Sequence, residues 1–166
     1  VQNISTGSEG FGVEFNPAPP QPREFDWTFT RTDNNMSVLV QSATINGNSL
    51  VTGDYIGVFT PAGTCAGYSV VPAGGFAVGV AAWGDDAATA GLIEGFVTGE
   101  VVSFRLWDSA AGQEYAAAAE LLAGDLNYVN NGFANVNVRS TQRLVRHDGV
   151  HFTFTQTADN HSLLVE

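Results

Sequence analysis

The chain has 166 residues, of which 44% are hydrophobic, enough for the core of one globular domain. It carries 17 acidic residues against six basic ones, all of them Arg, for a net charge of -11. This balance excludes a nucleic-acid partner, because no basic surface could displace counterions from phosphates. The sequence has no run of about 18 apolar residues, so we also expect no membrane insertion.

The first 24 residues predict an extended N-terminal segment. Four of the six prolines fall in its stretch NPAPPQP, which favours a linker or an edge segment over a central strand. Before the linker, Phe11, Val13 and Phe15 alternate as apolar residues do along a strand. We expect these three residues to form an exchanged strand in a contact between subunits.

Residues 25–145 predict a single all-β domain. Gly and Pro separate apolar runs of four to eight residues, and this spacing is typical of many short strands joined by tight turns. The predicted architecture is a β-sandwich, immunoglobulin-like or jelly-roll-like, or a flattened barrel, with extended terminal segments. The predicted strands are 37–44, 55–60, 66–71, 76–83, 101–108, 135–145 and 150–157.

Alternation within these strands predicts the core, and one segment departs from the pattern. The Ala-rich stretch 114–125 contains strong helix formers, yet it follows a hairpin-like turn after an alternating strand, which favours a strand over a short helix. The residues expected in the core are Val38, Val40, Ile56, Val58, Phe59, Phe76, Val78, Phe104 and Leu106.

The last 15 residues repeat an earlier stretch. Aligned from Trp27 with Phe152, residues 27–41 and 152–166 share eight identical residues of 15 without a gap. The copy suits the same kind of pleated groove, but the original already occupies that place in its own domain. We therefore predict that residues 146–166 act as a donor strand for a neighbouring subunit. Its interface residues are Phe152, Phe154, Leu163, Leu164 and Val165.

Two alternatives to a donor strand remain. The turn RHDG would let residues 150–157 fold back on residues 138–145 of the same chain as an edge strand. The repeat would also arise if residues 152–166 began the next unit of a tandem array.

Six motifs of the central region occur together, in the order TDNNMSVLV, GDYIGVFTPAGTCAGYSV, AVGVAAWGDD, GFVTGEVVSFRLWD, GQEYAAAA and NGFANV. In this combination residues 27–137 resemble an all-β repeat of secreted and cell-surface proteins of Bacteroidetes and related aquatic bacteria. The resemblance implies an extracellular structural or binding module and supplies no catalytic residues. The Ala-rich stretch departs from the more β-branched strand expected in that family.

Candidate metal ligands are few. Asp85, Asp86 and Glu94 fall in one predicted loop, and their carboxylate oxygens suit calcium, although the loop lacks the regular acidic ladder of known calcium loops. A solvated connection is the alternative. His147 and His151 have a spacing seen in zinc sites, but no Cys or acidic residue is placed to complete one. We therefore predict no metal and no cofactor.

Nothing in the sequence indicates catalysis. All three His lie in the last 20 residues, and no GxSxG turn is present to position a nucleophile. The lone Cys65 excludes an internal disulfide and is expected to be buried, with a reactive thiol or an intermolecular bridge as the alternatives. Trp83 and Trp107 end predicted strands, where covering the core is a commoner role than sugar binding.

These observations lead to one expected function and one alternative. We expect a non-enzymatic subunit of an extracellular filament or surface array, which assembles head to tail with copies of itself by strand exchange. The alternative is a carbohydrate-binding or adhesive module of a larger secreted protein, with surface glycans as ligands. An acidic surface suits an extracellular location, and the chain begins at Val1 without Met, as mature secreted proteins do.

Overall fold

The computed structural model describes residues 22–143 and shows an all-β fold, as predicted. Among these residues no helix occurs, and the Ala-rich stretch is a strand. The strands are β1 (Asn35–Ile45), β2 (Asn48–Ser49), β3 (Tyr55–Phe59), β4 (Cys65–Val70), β5 (Val78–Trp83), β6 (Ser103–Asp108), β7 (Gln113–Gly124) and β8 (Phe133–Arg143).

The eight strands form one sheet in the order β2, β1, β8, β7, β6, β3, β4, with β5 also paired to β1. The pairing of β1 with β8 is parallel, and the other pairings are antiparallel. The sheet curls until β4 meets β5, where the Ser69 hydroxyl donates to the Gly79 carbonyl at 2.7 Å. The strands therefore form a single curled sheet, and a sandwich of two packed sheets is not confirmed.

The concave side of the sheet encloses the main core. Seven of the nine predicted core residues lie there, because alternate residues of each strand point inward. Phe76 is half-buried against this core, at the edge of the loop before β5. Phe59 is also buried, but it belongs to a second cluster on the convex side of the sheet. The seven are Val38, Val40, Ile56, Val58, Val78, Phe104 and Leu106.

The Ala-rich strand β7 shows how tertiary pairing overrides helix propensity. It hydrogen-bonds to β6 on one edge and to β8 on the other, so its backbone groups are satisfied as part of a sheet. Two register shifts against β8, at Ala116/Ala118 and at Leu121/Ala123, mark bulges. Tyr115, Ala117 and Ala119 pack against the main core.

An extended segment, residues 22–34, lies on the convex side of the sheet, and we call it the N-terminal arm. It makes no strand ladder, although its residues alternate between contact with the sheet and exposure to solvent. Phe25, Trp27 and Phe29 face the sheet and join the second hydrophobic cluster. The repeated stretch 27–41 therefore has two structural parts, the arm up to Asn34 and the strand β1 from Asn35.

The arm begins before the predicted domain boundary at residue 25. The backbone N–H of Arg23, assigned from the sequence to the N-terminal segment, donates to the Gly112 carbonyl at 3.0 Å. The expected exchanged strand at Phe11, Val13 and Phe15 lies outside the described residues. The same holds for the predicted donor strand, residues 146–166, and for all three His.

Two glycines on the convex face of the sheet provide a matched test of this packing. A Cβ at Gly57 would lie 2.7 Å from the Trp27 ring, whereas a Cβ at Gly79 would meet nothing within 4 Å. We expect Gly57→Ala to lower the free energy of unfolding by roughly 1–3 kcal/mol through overpacking. The control Gly79→Ala should leave it unchanged or raise it by up to about 1 kcal/mol.

Urea denaturation followed by Trp fluorescence measures both variants. Equal stability of the two proteins would show that Trp27 does not pack on Gly57 in solution.

Candidate binding surfaces

The N-terminal arm is fixed by a cluster of aromatic rings on β3, β4 and β6. Phe25 stacks on Tyr55 with ring centroids 4.0 Å apart, and Trp27 meets Phe59 edge to face at 5.2 Å. Phe29 meets Tyr68 in the same way at 5.2 Å. Such pairs add to the stabilisation from burial alone, so the arm is an integral part of the fold.

A buried carboxylate fixes the start of the arm. The side chain of Glu114, on β7, is fully buried, and its Oε1 accepts a 2.8 Å bond from Nη1 of Arg105 on β6. Oε2 lies 3.5 Å from Nη2 of Arg23 in the arm. Arg105 in turn lies over the Phe59 ring at 4.1 Å, which gives its charge a second favourable contact. The carboxylate therefore joins the arm to the sheet.

Cys65 lies under the arm, as a small buried residue of the second cluster. Burial raises the pKa of its thiol above the ordinary value, because a thiolate is disfavoured away from water. The thiol Sγ lies 3.8 Å from the Gly67 carbonyl, to which it is a weak donor. This environment is that of a structural thiol rather than a nucleophile.

A groove of about 480 Å³ lies where β4 approaches β5, beside Tyr55 and Tyr68. Aromatic side chains line this groove, as they do in sugar-binding sites. Contacts within the second cluster already occupy part of both rings, since Phe25 stacks on Tyr55 at 4.0 Å and Tyr68 meets Phe25 and Phe29 in edge-to-face contacts. Little flat aromatic surface is left for a sugar ring.

A second groove, of about 320 Å³, lies on the convex face of β5, β1 and β8, and we call it the open groove. In the strand register, Ser37 of β1 lies between Ala81 of β5 and Phe133 of β8. Leu39 of β1 lies beside Gly79 of β5. Phe133, the aromatic member of this set, is 47% exposed. No charged side chain lines this groove.

The candidate calcium ligands are engaged within their own loop. Asp85 Oδ1 accepts the Glu94 N–H at 3.1 Å, and Asp86 Oδ1 accepts the Ala88 N–H at 2.9 Å. Glu94 Oε2 accepts the Thr89 hydroxyl at 2.7 Å. Within residues 22–143, no group of three or more His, Cys, Asp or Glu is arranged to hold a metal ion. The loop is therefore ordered by its own hydrogen bonds.

The three Trp differ in their surroundings. Trp27, in the arm, and Trp107, beneath it on β6, are buried in the second cluster, while Trp83 is half-buried at the end of β5. Glu114 and Arg23, which join the arm to the sheet, were missed from the sequence. The one available signal was an acid near the start of a largely apolar strand, and nothing in the local pattern marks that acid as buried.

The part of the chain that is repeated at residues 152–166 spans both structural parts of this region. Residues 27–34 belong to the arm, and residues 35–41 form the first half of β1. The Thr32 hydroxyl donates to the Gly84 carbonyl at 2.8 Å, and Asn34 Nδ2 donates to the Asp85 carbonyl at 3.1 Å. These bonds hold the junction of the two parts against the end of β5.

Comparison with protein-family models, with curated proteins and with solved structures finds no match to this chain. The resemblance of residues 27–137 to a bacterial surface repeat thus stays a prediction. No helix that could cross a membrane is found in the described part of the chain.

The contact of Glu114 with two guanidinium groups leads to a prediction about stability. Glu114→Gln keeps the shape of the side chain but removes the charge that Arg105 and Arg23 face. We expect a loss of roughly 1.5–3 kcal/mol in the free energy of unfolding, typical of a hydrogen bond to a charged group. The control is Glu120→Gln, at an exposed position of the same strand. A loss of equal size in the control would contradict a specific role for Glu114.

The position of Cys65 under the arm predicts its reactivity. In the native protein we expect slow labelling by a thiol reagent, because the thiol is buried and its raised pKa keeps it protonated at neutral pH. Trp27→Ala opens the cluster and should raise the labelling rate at least tenfold, while the exposed Thr28→Ala should not. Native labelling as fast as that of the urea-unfolded chain would disprove this arrangement.

Proposed function

We propose that this chain is a non-enzymatic structural module that assembles with copies of itself at the cell surface or outside the cell. Residues 150–166 supply the connecting segment. The observation that carries the proposal is the position of the repeated stretch. The original spans the arm and the first half of β1, the part of the chain that covers one face of the sheet and then enters its centre.

The copied residues keep the pattern that the arm uses. Trp27 and Phe29 face the sheet while Thr28 and Thr30 are exposed. In the copy, Phe152 and Phe154 take the positions of the first pair, and Thr153 and Thr155 take those of the second. A segment with this pattern suits a groove on the face of a sheet.

The copy has no place left in its own domain, because the original is firmly held there. Val38 and Val40 are buried in the main core, and β1 pairs with β8 on one edge and with β5 on the other. Against a copy from another subunit, the original also has the advantage of a high effective concentration, because it belongs to the same chain as its groove. Residues 150–166 are therefore expected to bind another copy without displacing the original.

Folding back within the same chain is also restricted. The predicted partner of such a hairpin, residues 138–145, overlaps β8, which already has β7 on one edge and β1 on the other from Phe133 to Ser140. Only its last residues have a free edge. We therefore propose a contact between copies, and a head-to-tail contact that does not close on itself generates a filament.

A carbohydrate-binding module is the second candidate function. The groove beside Tyr55 and Tyr68 favours it, because aromatic side chains border an open space of about 480 Å³. The contacts of both rings with Phe25 weigh against it. Self-assembly is the stronger proposal, since it also accounts for the repeated segment.

Paired substitutions in the copied segment test the proposal. Phe152→Asp with Phe154→Asp places carboxylates at the positions expected to be buried, whereas Thr153→Asp with Thr155→Asp adds the same charge at the alternate positions. We expect the first pair to abolish assembly and the second to retain it. Assembly should strengthen as salt rises from low to physiological levels, since each copy carries a net charge of -11.

Light scattering and negative-stain microscopy over a range of concentrations measure assembly. A chain truncated after Arg146 provides a further comparison. Truncated and full-length chains that remain the same size, with no fibres at any concentration, would rule out assembly through this segment.

A further inference from the structure

The open groove on β5, β1 and β8 has the shape that an extended aromatic segment needs. Its floor is made of small side chains, Ser37, Gly79 and Ala81, and the larger Leu39 and Phe133 flank them. Gly79 and Ala81 lie on the same face of β5, because alternate residues of a strand share a face. The groove is about 320 Å³ in volume, enough to receive an aromatic side chain.

The arm shows how this fold binds such a segment elsewhere on its convex face. Trp27 lies on Gly57, with Phe59 and Tyr68 around it, and a Cβ at Gly57 would collide with the Trp27 ring at 2.7 Å. At Gly79 a Cβ would meet nothing within 4 Å. Both sites have a glycine floor and larger side walls, but the space above Gly79 is open.

Charge favours a copy of this chain as the occupant of the open groove. Two proteins that each carry a net charge of -11 repel one another, so contact is least unfavourable where neither surface is acidic. No charged side chain lines the groove. The stretch VHFTFTQ, residues 150–156, contains no carboxylate either.

The length of the chain favours a segment from a second copy. Phe133 and Arg143 are the two ends of β8, so at about 3.3 Å per residue they lie about 33 Å apart. The nine residues from Arg143 to Phe152 span at most about 30–32 Å when fully extended. Folding back to Phe133 would leave Phe152 no length for the reversal of direction, and Phe154, two residues further on, only a few ångströms, whereas a segment from another copy has no such limit.

We propose that the open groove is the acceptor for residues 150–156 of a neighbouring copy, with an aromatic ring of that segment above Gly79 and beside Phe133. This inference rests on the proposed function and adds the surface on which assembly takes place. Each copy then carries one donor segment and one acceptor groove, which are made of different residues. That arrangement is heterologous and open-ended.

Filling the groove without disturbing the fold tests the inference. Gly79→Val adds a β-branched side chain into open space at a strand position that suits it. We expect the concentration needed for assembly to rise at least tenfold, with no loss in melting temperature. The control is Ala118→Val, at an exposed position of β7 outside the groove. Phe133→Ser, which removes one wall, should weaken assembly as well.

A peptide experiment separates this inference from the proposed function. The acceptor is the full chain with Phe152→Asp and Phe154→Asp, and the probe is a fluorescent peptide of residues 148–158. We expect saturable binding measured by anisotropy, lost in the same acceptor that also carries Gly79→Val and kept with Ala118→Val.

The results of these experiments distinguish the proposed self-assembly from the proposed acceptor groove. A wild-type chain that never assembles contradicts the proposed function, and failure of the peptide to bind at millimolar concentration then overturns the acceptor groove too. Assembly or peptide binding unaffected by Gly79→Val overturns the groove alone. Dimers of the Phe152→Asp/Phe154→Asp chain that Gly79→Val disrupts would show that two grooves pack on each other, and would overturn the donor segment as their occupant.

Discussion

The buried carboxylate of Glu114 is the interaction on which the convex side of the sheet depends. It binds Arg105 within the sheet and Arg23 in the arm, so one anion connects the strands to the segment that covers them. A buried charge is costly unless it is paired, and these two guanidinium groups pair this one, Arg105 through a 2.8 Å hydrogen bond and Arg23 at 3.5 Å. With Arg23 fixed, alternation brings Phe25 and Trp27 onto the aromatic cluster, and the junction at Thr32 then leads into β1.

Local pattern in the sequence predicts much of the sheet. The alternation around Val38 and Val40, and around Phe104 and Leu106, identifies inward-facing residues because one side of each strand faces the main core. The alternation does not identify the buried residues where both faces of a strand are covered. Phe59 and Trp107 point outward and are buried only because the arm lies over them, a contact between residues distant in sequence.

The curl of the sheet and its candidate surfaces could not be predicted in the same way. The approach of β4 to β5 depends on Gly67, where any side chain would overlap the Ala81 carbonyl, and a lone glycine in a strand does not reveal its neighbour. The open groove combines Leu39, Ala81 and Phe133 from three strands, two of which pair in parallel. What the sequence did predict was the repeated segment, whose own residues carry the signal.

The sequence differences between residues 27–41 and their copy at residues 152–166 have a physical explanation. Trp27 buries its indole N–H without a hydrogen-bond partner, and Phe152, at the equivalent position, has no such group to satisfy. Met36 is almost fully buried in the core, whereas the copy has His161 there. An imidazole in that apolar position would need a polar partner. The copy is thus suited to a surface groove in its first half and poorly suited to replace β1.

The parallel pairing of β1 with β8 also governs how the chain reaches its native state. Ser37 meets Phe133 and Ile45 meets Ser140, so these contacts join residues nearly a hundred positions apart. Contacts of such long range slow folding, because the entropy of closing the loop is lost before the pairing is gained. During synthesis, β5 is available to pair with β1 early, whereas β8 is the last of the described strands to be made. Until residues 133–143 have left the ribosome, one edge of β1 stays unpaired, and an unpaired edge is where nascent chains aggregate.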